Sequence, residues 1–200
     1  MDTVQAQTRR ESTDDRRRAI ATAARELIVE KGIEGLRTRD IAERVGINVA
    51  TLHYHVPSKE ALIGIVAETL RHDFRAQSQA RPRAHLTPRE QLDHEFHDFA
   101  ELYFERQDVL AVLSEMMERG RRDPVVRSAL TPLMGRWREM VAEIFRSGVA
   151  DGSFRADIDP EPAAQIVVGS LISFWRGPNN SQAYFERMCA ELRRAFLPQD

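Results

Sequence analysis

Cysteine and long apolar runs are almost absent from this 200-residue chain. The single cysteine, Cys189, excludes a disulfide framework within one chain, so a reducing compartment is expected. No apolar run approaches the roughly 18 residues of a membrane span. Residues 1–18 also lack the apolar centre of a signal peptide. These absences predict a cytoplasmic protein without membrane contact.

Signatures of enzymes and metal centres are missing as well. The sequence contains no glycine-rich phosphate loop, no serine nucleophile elbow and no Cys–His arrangement. His94 and His97 are one helical turn apart, with His72 and His85 nearby, but no paired-cysteine or His-Glu-x-x-His signature accompanies them. We therefore expect no enzymatic activity, no metal and no cofactor. The alternative is a helical metal-binding or ligand-binding protein.

A general excess of positive charge is also lacking. The formal net charge is −2, and residues 1–60 carry 11 basic and 10 acidic side chains. This balance argues against a polybasic nucleic-acid binder. Contact with a phosphate backbone would instead depend on local placement of Arg37, Arg39, Arg44 and Lys59.

Apolar residues recur at helical spacing along the chain, and strand-like alternation is almost absent. Thr87-Pro88-Arg89-Glu90 has the form of a capping box that opens a helix. The expected fold class is all-α. Predicted helices cover about Asp15–Lys31, Thr38–Val45, Asn48–His55 and Ser58–Gln79, begin near Thr87 and Asp108, and cover Asp123–Gly148, Asp159–Trp175 and Gln182–Phe196.

Residues 36–62 contain the most informative pattern. Thr38 is expected to cap a short helix, and Asp40 in the first turn complements the helix dipole. Ile41, Ala42 and Val45 form an inward stripe. Gly46 is the residue type that ends helices, because it readily adopts positive φ.

A second short helix follows, and its two faces differ. Asn48 is expected to cap it, Leu52 and Val56 to be buried, and Pro57 to stop it. Its outward face consists of small, hydroxyl and imidazole side chains, namely Val49, Ala50, His53 and Tyr54, with Thr51 beside them. Two helices joined by a short glycine-containing turn form a helix-turn-helix, whose second helix enters the major groove of DNA.

From about Arg16 to Leu62 the sequence resembles the DNA-binding domain of the TetR family of regulators. The matching runs are Thr38-Arg39-Asp40-Ile41-Ala42, Val45-Gly46-Ile47 and Thr51 to Glu60. His53 departs from the pattern, because the family usually has tyrosine there. The resemblance implies a three-helix helix-turn-helix domain over residues 1–57, with an ordered core over 15–57. A helical effector-binding and dimerisation domain over 58–200 is implied to follow.

The candidate DNA-contacting residues divide into two groups. Phosphate contacts are expected from Thr38, Arg39, Thr51, Tyr54 and Lys59. Base contacts are expected from Asn48, Val49, Ala50 and His53. His55 is open between phosphate contact and helix packing, and capping or a solvated surface is the alternative for the others. Arg16-Arg17-Arg18, with Arg9 and Arg10, is open between a minor-groove arm and a solvated tail.

Aromatic and methionine side chains are concentrated after residue 70, where the resemblance implies a small-molecule effector site. Such side chains line apolar ligand pockets, although ordinary core packing is the alternative for each. The candidate pocket residues are Phe74, Phe96, Phe99, Tyr103, Met116, Met117, Trp137 and Phe174.

The last two predicted helices bear on assembly. Ala163–Trp175 is apolar nearly all round, and the ninth helix presents Tyr184, Phe185, Met188, Leu192 and Phe196 on one face. We expect a homodimer interface here; burial inside the monomer is the alternative. The sequence thus predicts a homodimeric repressor on a palindromic operator, released by a small molecule. A ligand-strengthened repressor, an activator, or a protein that keeps the motif only as fold are the alternatives.

Overall fold

The computed structural model describes residues 13–198 of the chain. Within this range the chain forms nine α-helices and one short 3-10 helix, with no β-strand. The helices are α1 Thr13–Lys31, α2 Thr38–Val45, α3 Val49–His55, α4 Lys59–Ala80, α5 Pro88–Phe104, α6 Gln107–Gly120, α7 Pro124–Ala150, α8 Pro160–Arg176 and α9 Gln182–Phe196, with the 3-10 helix at Ile33–Gly35. The all-α prediction is confirmed, whereas the 3-10 helix was not predicted.

Packing divides the chain into two compact units. Unit 1 comprises the described residues up to Leu70 together with Val112–Ala129. Unit 2 comprises Arg71–Ala111 together with the described residues from Leu130 onward. The predicted domain boundary after residue 57 follows the sequence motif and stays a prediction.

The core of unit 1 is small and aliphatic. On α1, the predicted inward residues Ile20, Ala24, Leu27 and Ile28 are each at most 1% exposed. They share this core with the buried residues of the helices that contact α1, Ile41 and Ala42 on α2 and Leu52 on α3. Close packing of α1 on α2 and α3 therefore fixes the backbone of the predicted motif.

Helix α1 begins earlier than the sequence indicated. Arg16, Arg17 and Arg18 lie in its first two turns, and this segment is neither an extended arm nor a tail. Asp14 and Asp15 in the first turn favour helix here, because carboxylates complement the positive end of the helix dipole. Arg9 and Arg10 lie outside the described residues.

The turn between α2 and α3 forms as its residues dictate. Gly46 adopts φ +73°, and the amide of Ile47 donates to the carbonyl of Ala42 at 2.9 Å. Asn48 caps α3, since its Oδ1 accepts from the amide of Thr51 at 2.7 Å. One prediction was wrong: Thr38 is the first residue of α2, and the capping position is Arg37, which makes no side-chain cap.

The core of unit 2 is larger and rich in aromatic rings. The predicted capping box is present at α5, where Thr87 and Glu90 exchange hydrogen bonds. Buried residues of α5, α7, α8 and α9 form one cluster that includes Phe96, Phe145 and Leu171. Helix α7 continues past Gly148 to Ala150, contrary to prediction. Gly148 has no side chain, and this leaves room for the Phe154 ring, which would collide with a Cβ at that position.

Helices α8 and α9 contribute most of their apolar surface to this core. Three residues of the predicted dimer face, Phe185, Leu192 and Phe196, are buried in the described chain. For these three the alternative of burial inside the monomer is correct, because α9 packs them among the rings and aliphatic side chains of unit 2. Ile166 on α8 and Tyr184 on α9 remain 53% and 39% exposed.

Candidate nucleic-acid interface

The two faces of α3 differ as predicted. Leu52 is fully buried and Val56 is 3% exposed, which fixes the helix to the core of unit 1. Val49, Ala50 and His53 are exposed on the opposite side. Tyr54 is 82% exposed, whereas most tyrosine side chains in folded proteins are at least partly buried. The helix therefore displays a mixed apolar and hydrogen-bonding surface to solvent.

The neighbouring helix starts contribute polar groups. Thr38 and Arg39 are exposed at the start of α2, and Lys59 is exposed as the first residue of α4. Ser58 caps α4, because its Oγ accepts from the amide of Ala61 at 3.1 Å. Helix starts present unpaired amides and a positive dipole end, which suit them to phosphate oxygens.

Thr51 and His55 are half-buried at the edge of the outward face. His55 packs edge-on against Tyr54, with ring centroids 5.2 Å apart. Its Nδ1 is buried and makes no hydrogen bond within the described chain. This placement favours helix packing for the His55 ring, with only its other edge available to a partner.

Several cations around the motif are bound by carboxylates of the same chain. Arg44 donates to both carboxylate oxygens of Glu30, at 2.6 and 2.8 Å. The hydrogen bond from Arg44 lowers the pKa of Glu30. Arg44 is therefore paired with Glu30 in the free protein, and its contact with phosphate stays a prediction. Lys31 similarly contacts Asp40 at 2.8 Å.

Sequence reasoning missed a second segment that supports this unit. At the C-terminal end of α6, Glu115 accepts a hydrogen bond from the amide of Ile33 at 3.1 Å. Arg119 pairs with Glu34 and, through Nε, with Asp123 at 3.1 Å. The partners Glu115 and Ile33, and Arg119 and Glu34, are more than 80 residues apart, and no local sequence signal points from one to the other.

Family models match both halves of the chain. One, described as bacterial regulatory proteins of the tetR family, matches residues 20–64. A second, described as a tetracyclin repressor-like C-terminal domain, matches residues 111–177. Together they cover more than half of the chain.

The chain belongs to the TetR family of transcriptional regulators. The tetracycline repressor protein class D of Escherichia coli is 41% identical over 61 residues, which are 29% of this chain and 28% of that protein. The transcriptional repressor KstR2 of Rhodococcus jostii is 26% identical over 152 residues, 76% of this chain and 74% of that protein. The prediction from the motif is confirmed.

A solved structure shares the fold of this TetR-family chain. It is a putative transcriptional regulator from Saccharomonospora viridis in complex with choline. The TM-score is 0.76 at 24% identity, covering 93% of this chain and 100% of that one. The helix-turn-helix followed by a helical C-terminal region is thus the family's architecture.

In unit 2 of this TetR-family chain, four of the predicted pocket residues lie in one aromatic cluster. Phe99 stacks on Tyr103 and on Trp137, with centroids 6.5 and 6.3 Å away, and meets Phe174 edge-on at 6.5 Å. Phe96 belongs to the same core. Phe74 is half-buried in unit 2 outside this cluster, whereas Met116 and Met117 belong to unit 1.

A buried charged network adjoins the aromatic cluster. The indole Nε1 of Trp137 donates to Glu95 at 2.5 Å, and Arg83 donates to the same carboxylate at 2.8 Å. Asp98 accepts from Arg81 and Arg83. Glu95 and Asp98 are each 5% exposed. Sequence reasoning missed this network, although carboxylates at helical spacing on a largely apolar helix face are its signal.

Two open grooves also lie in unit 2. One, of about 400 Å³, runs between α5 and α9 and includes Phe96 of the predicted residues. The other, of about 460 Å³, lies along α8 and α9 and includes Phe174. Among residues 13–198 no group of His, Cys, Asp and Glu is arranged to hold a metal ion, and no helix there is long and apolar enough to cross a membrane.

Proposed function

We propose that the protein is a homodimeric repressor that acts in the cytoplasm and reads a palindromic operator through the exposed face of α3. One observation carries the proposal: α3 is fixed by buried Leu52 while Val49, Ala50, His53 and Tyr54 face solvent. These side chains form one continuous exposed face, and the ring of Tyr54, 82% exposed, is available to an external partner.

The exposed side chains divide into readers and anchors. Val49 and Ala50 are suited to thymine methyl groups, and His53 and the amide nitrogen of Asn48 to base edges. The Oδ1 of Asn48 is already used by the cap, which leaves only its amide nitrogen for a base. Thr38, Arg39, Thr51, Tyr54 and Lys59 carry groups suited to phosphate, with His55 at the edge of the same surface.

The dimer is proposed to form through α8 and α9. Ile166 and Tyr184 are the exposed large apolar side chains of these helices, and they border the groove of about 460 Å³. Small residues in this groove, Gly169, Ser170 and Ser173, permit close approach of a second helix pair. Two copies are required because one α3 reads too few base pairs, and half-sites lie about 34–36 Å apart.

The effector is proposed to be a small organic molecule bound in unit 2 beside Tyr103 and Trp137, in the region of the predicted pocket residues. Both side chains are half-buried in the aromatic cluster, and the Glu95 network supplies polar groups next to them. The related fold from Saccharomonospora viridis, in complex with choline, supports a small organic ligand for such a fold. A ligand that prefers one conformer shifts the population away from operator binding.

Operator binding is tested by electrophoretic mobility shift on the DNA that flanks the gene. We expect a specific complex whose affinity falls linearly with salt on logarithmic axes. His53→Ala is expected to change sequence preference, whereas Lys59→Ala weakens all sequences alike. Uniform loss in both variants would contradict the division into readers and anchors, and absence of any complex would contradict the function.

Effector binding is tested with the two tryptophans. Trp175→Phe leaves Trp137 as the reporter, and Trp137→Phe leaves Trp175. Small organic compounds, with choline included, are first screened for an increase in the protein's melting temperature. Compounds that raise it are expected to change the tryptophan emission of the Trp175→Phe variant and not that of the Trp137→Phe variant. Titration of such a compound into the protein–DNA complex should dissociate it; strengthened binding would identify a co-repressor or co-activator instead.

A further inference from the structure

The cation that the proposed function assigns to a DNA phosphate has an anionic partner in the free protein. Lys59 Nζ lies 3.6 Å from Asp123 Oδ2. Lys59 begins α4, Asp123 immediately precedes α7, and both belong to unit 1. The pair therefore joins the start of α4 to the turn between α6 and α7.

Asp123 is the fixed member of this pair. Its Oδ2 also accepts from Arg119 Nε at 3.1 Å, and its Oδ1 accepts from the amide of Val125 at 3.1 Å. The side chain of Asp123 is 15% exposed, against 59% for Lys59. The lysine ammonium, on a flexible four-carbon stem, is the group that can change partner.

We propose that Asp123 is an intramolecular rival of the operator phosphate for Lys59 and thereby sets operator affinity. This inference rests on the proposed function, since it requires Lys59 to contact phosphate. A carboxylate and a phosphate oxygen both accept hydrogen bonds from an ammonium. Lys59 must therefore leave Asp123, or share it, when its ammonium reaches a DNA phosphate.

The position of Asp123 connects this rivalry to regulation. Arg119, which holds Asp123, also pairs with Glu34 after α1. Asp123 lies between α6 and α7, so a movement of either helix changes its distance from Lys59. An effector that shifts these helices would thus strengthen or weaken the competition for Lys59.

The test replaces Asp123 and compares operator affinity by fluorescence anisotropy. Asp123→Asn keeps an oxygen for the Val125 amide while removing the charge. Glu118→Gln is the matched control, because it removes one charge from the last turn of α6, where Glu118 lies 3.9 Å from Arg121. We expect the dimeric Asp123→Asn variant to bind about two- to fivefold tighter than the original, and Glu118→Gln to change little.

A double mutant isolates the pair. In a Lys59→Ala background, Asp123→Asn should leave operator affinity unchanged, because the lysine for which Asp123 and the phosphate compete is absent. Weaker or unchanged binding by Asp123→Asn overturns the proposal, as does tightening that persists without Lys59 or is matched by Glu118→Gln. Asp123→Ser repeats the test with a second capping residue if the asparagine variant does not fold.

A measurement without DNA separates this proposal from the proposed function. The chain has only two lysines, Lys31 and Lys59, so reductive ¹³C-methylation gives few NMR signals, which Lys31→Arg assigns. The Lys59 signal is expected to shift in Asp123→Asn and not in Glu118→Gln. If the Lys59 signal does not shift, Lys59 and Asp123 do not pair in solution and the inference is wrong. A shifted signal with no operator binding by the original protein contradicts the proposed function instead.

Discussion

The two units use aromatic and charged residues in opposite ways. Unit 1 has one aromatic side chain, Tyr54, and displays it to solvent. All nine Phe, both Trp and the other two Tyr belong to unit 2, where most pack in or against one core. Unit 1 is therefore built around aliphatic side chains, and its one tyrosine ring faces solvent.

The placement of charge differs in the same sense. The buried charged residues of the described chain, Glu95 and Asp98, both lie in unit 2. In unit 1 the pairs Lys31–Asp40 and Arg44–Glu30 lie at the surface, where water screens them. Unit 1 thus forms its ion pairs at the surface, whereas unit 2 buries carboxylates whose loss is costly.

The largest effect should follow a change inside unit 2. Glu95→Ala leaves Arg83 with Asp98 as its remaining carboxylate and Trp137 without an acceptor, so we expect the free energy of unfolding to fall by about 3 kcal/mol. Urea unfolding followed by tryptophan fluorescence measures it, because both tryptophans lie in unit 2. Exposed Glu139→Ala is the control. Equal urea midpoints for Glu95→Ala and Glu139→Ala would show that the buried carboxylate is no more important for stability than an exposed one.

A smaller effect is expected at the cap of α3 in unit 1. Asn48→Ala removes the acceptor of the Thr51 amide and should cost about 1 kcal/mol. Asn48→Asp retains the acceptor, so stability should hold while its charge weakens DNA binding. Far-UV circular dichroism measures stability, and anisotropy measures binding. If Asn48→Asp bound DNA as tightly as the original, Asn48 would be a cap alone.

Acid should weaken the ion pairs whose carboxyl groups have a lowered pKa. Burial acts to raise the pKa of Glu101, but hydrogen bonds from Arg81 and Gln77 outweigh it and hold that pKa below its ordinary 4.5. The resulting stabilisation is present above pH 4.5 and is lost as pH falls through the lowered value. Melting temperatures of the original and Glu101→Gln should therefore differ by about 1–3 °C at pH 6 and converge near pH 3. A constant difference would contradict this origin.

The smallest effect should come from the lone thiol. Burial raises the pKa of Cys189 to about 12, so almost no thiolate is present at pH 8. Iodoacetamide should leave the folded protein unmodified by mass spectrometry and modify it in concentrated urea. Rapid modification of the folded protein would show that the interior of unit 2 opens.

Local features of both units were predictable from the sequence. Gly46 ends α2 because it adopts positive φ, Asn48 caps α3, and Thr87 with Glu90 opens α5. Each depends on atoms within about four residues, so residue type and spacing specify it. The burial of Leu52 opposite an exposed Tyr54 followed from helical periodicity in the same way.

Contacts between distant segments were decided by tertiary structure alone. Nothing near Lys59 indicates Asp123, nothing near Arg83 indicates that Glu95 also holds Trp137, and nothing in α9 indicates which apolar residues the monomer buries. The helices, the turn after α2 and the exposed face of α3 follow from residue type and spacing, because these features depend on short-range geometry. The ion-pair partners and the buried faces of the helices depend on tertiary packing, because these side chains meet only after the helices are brought together.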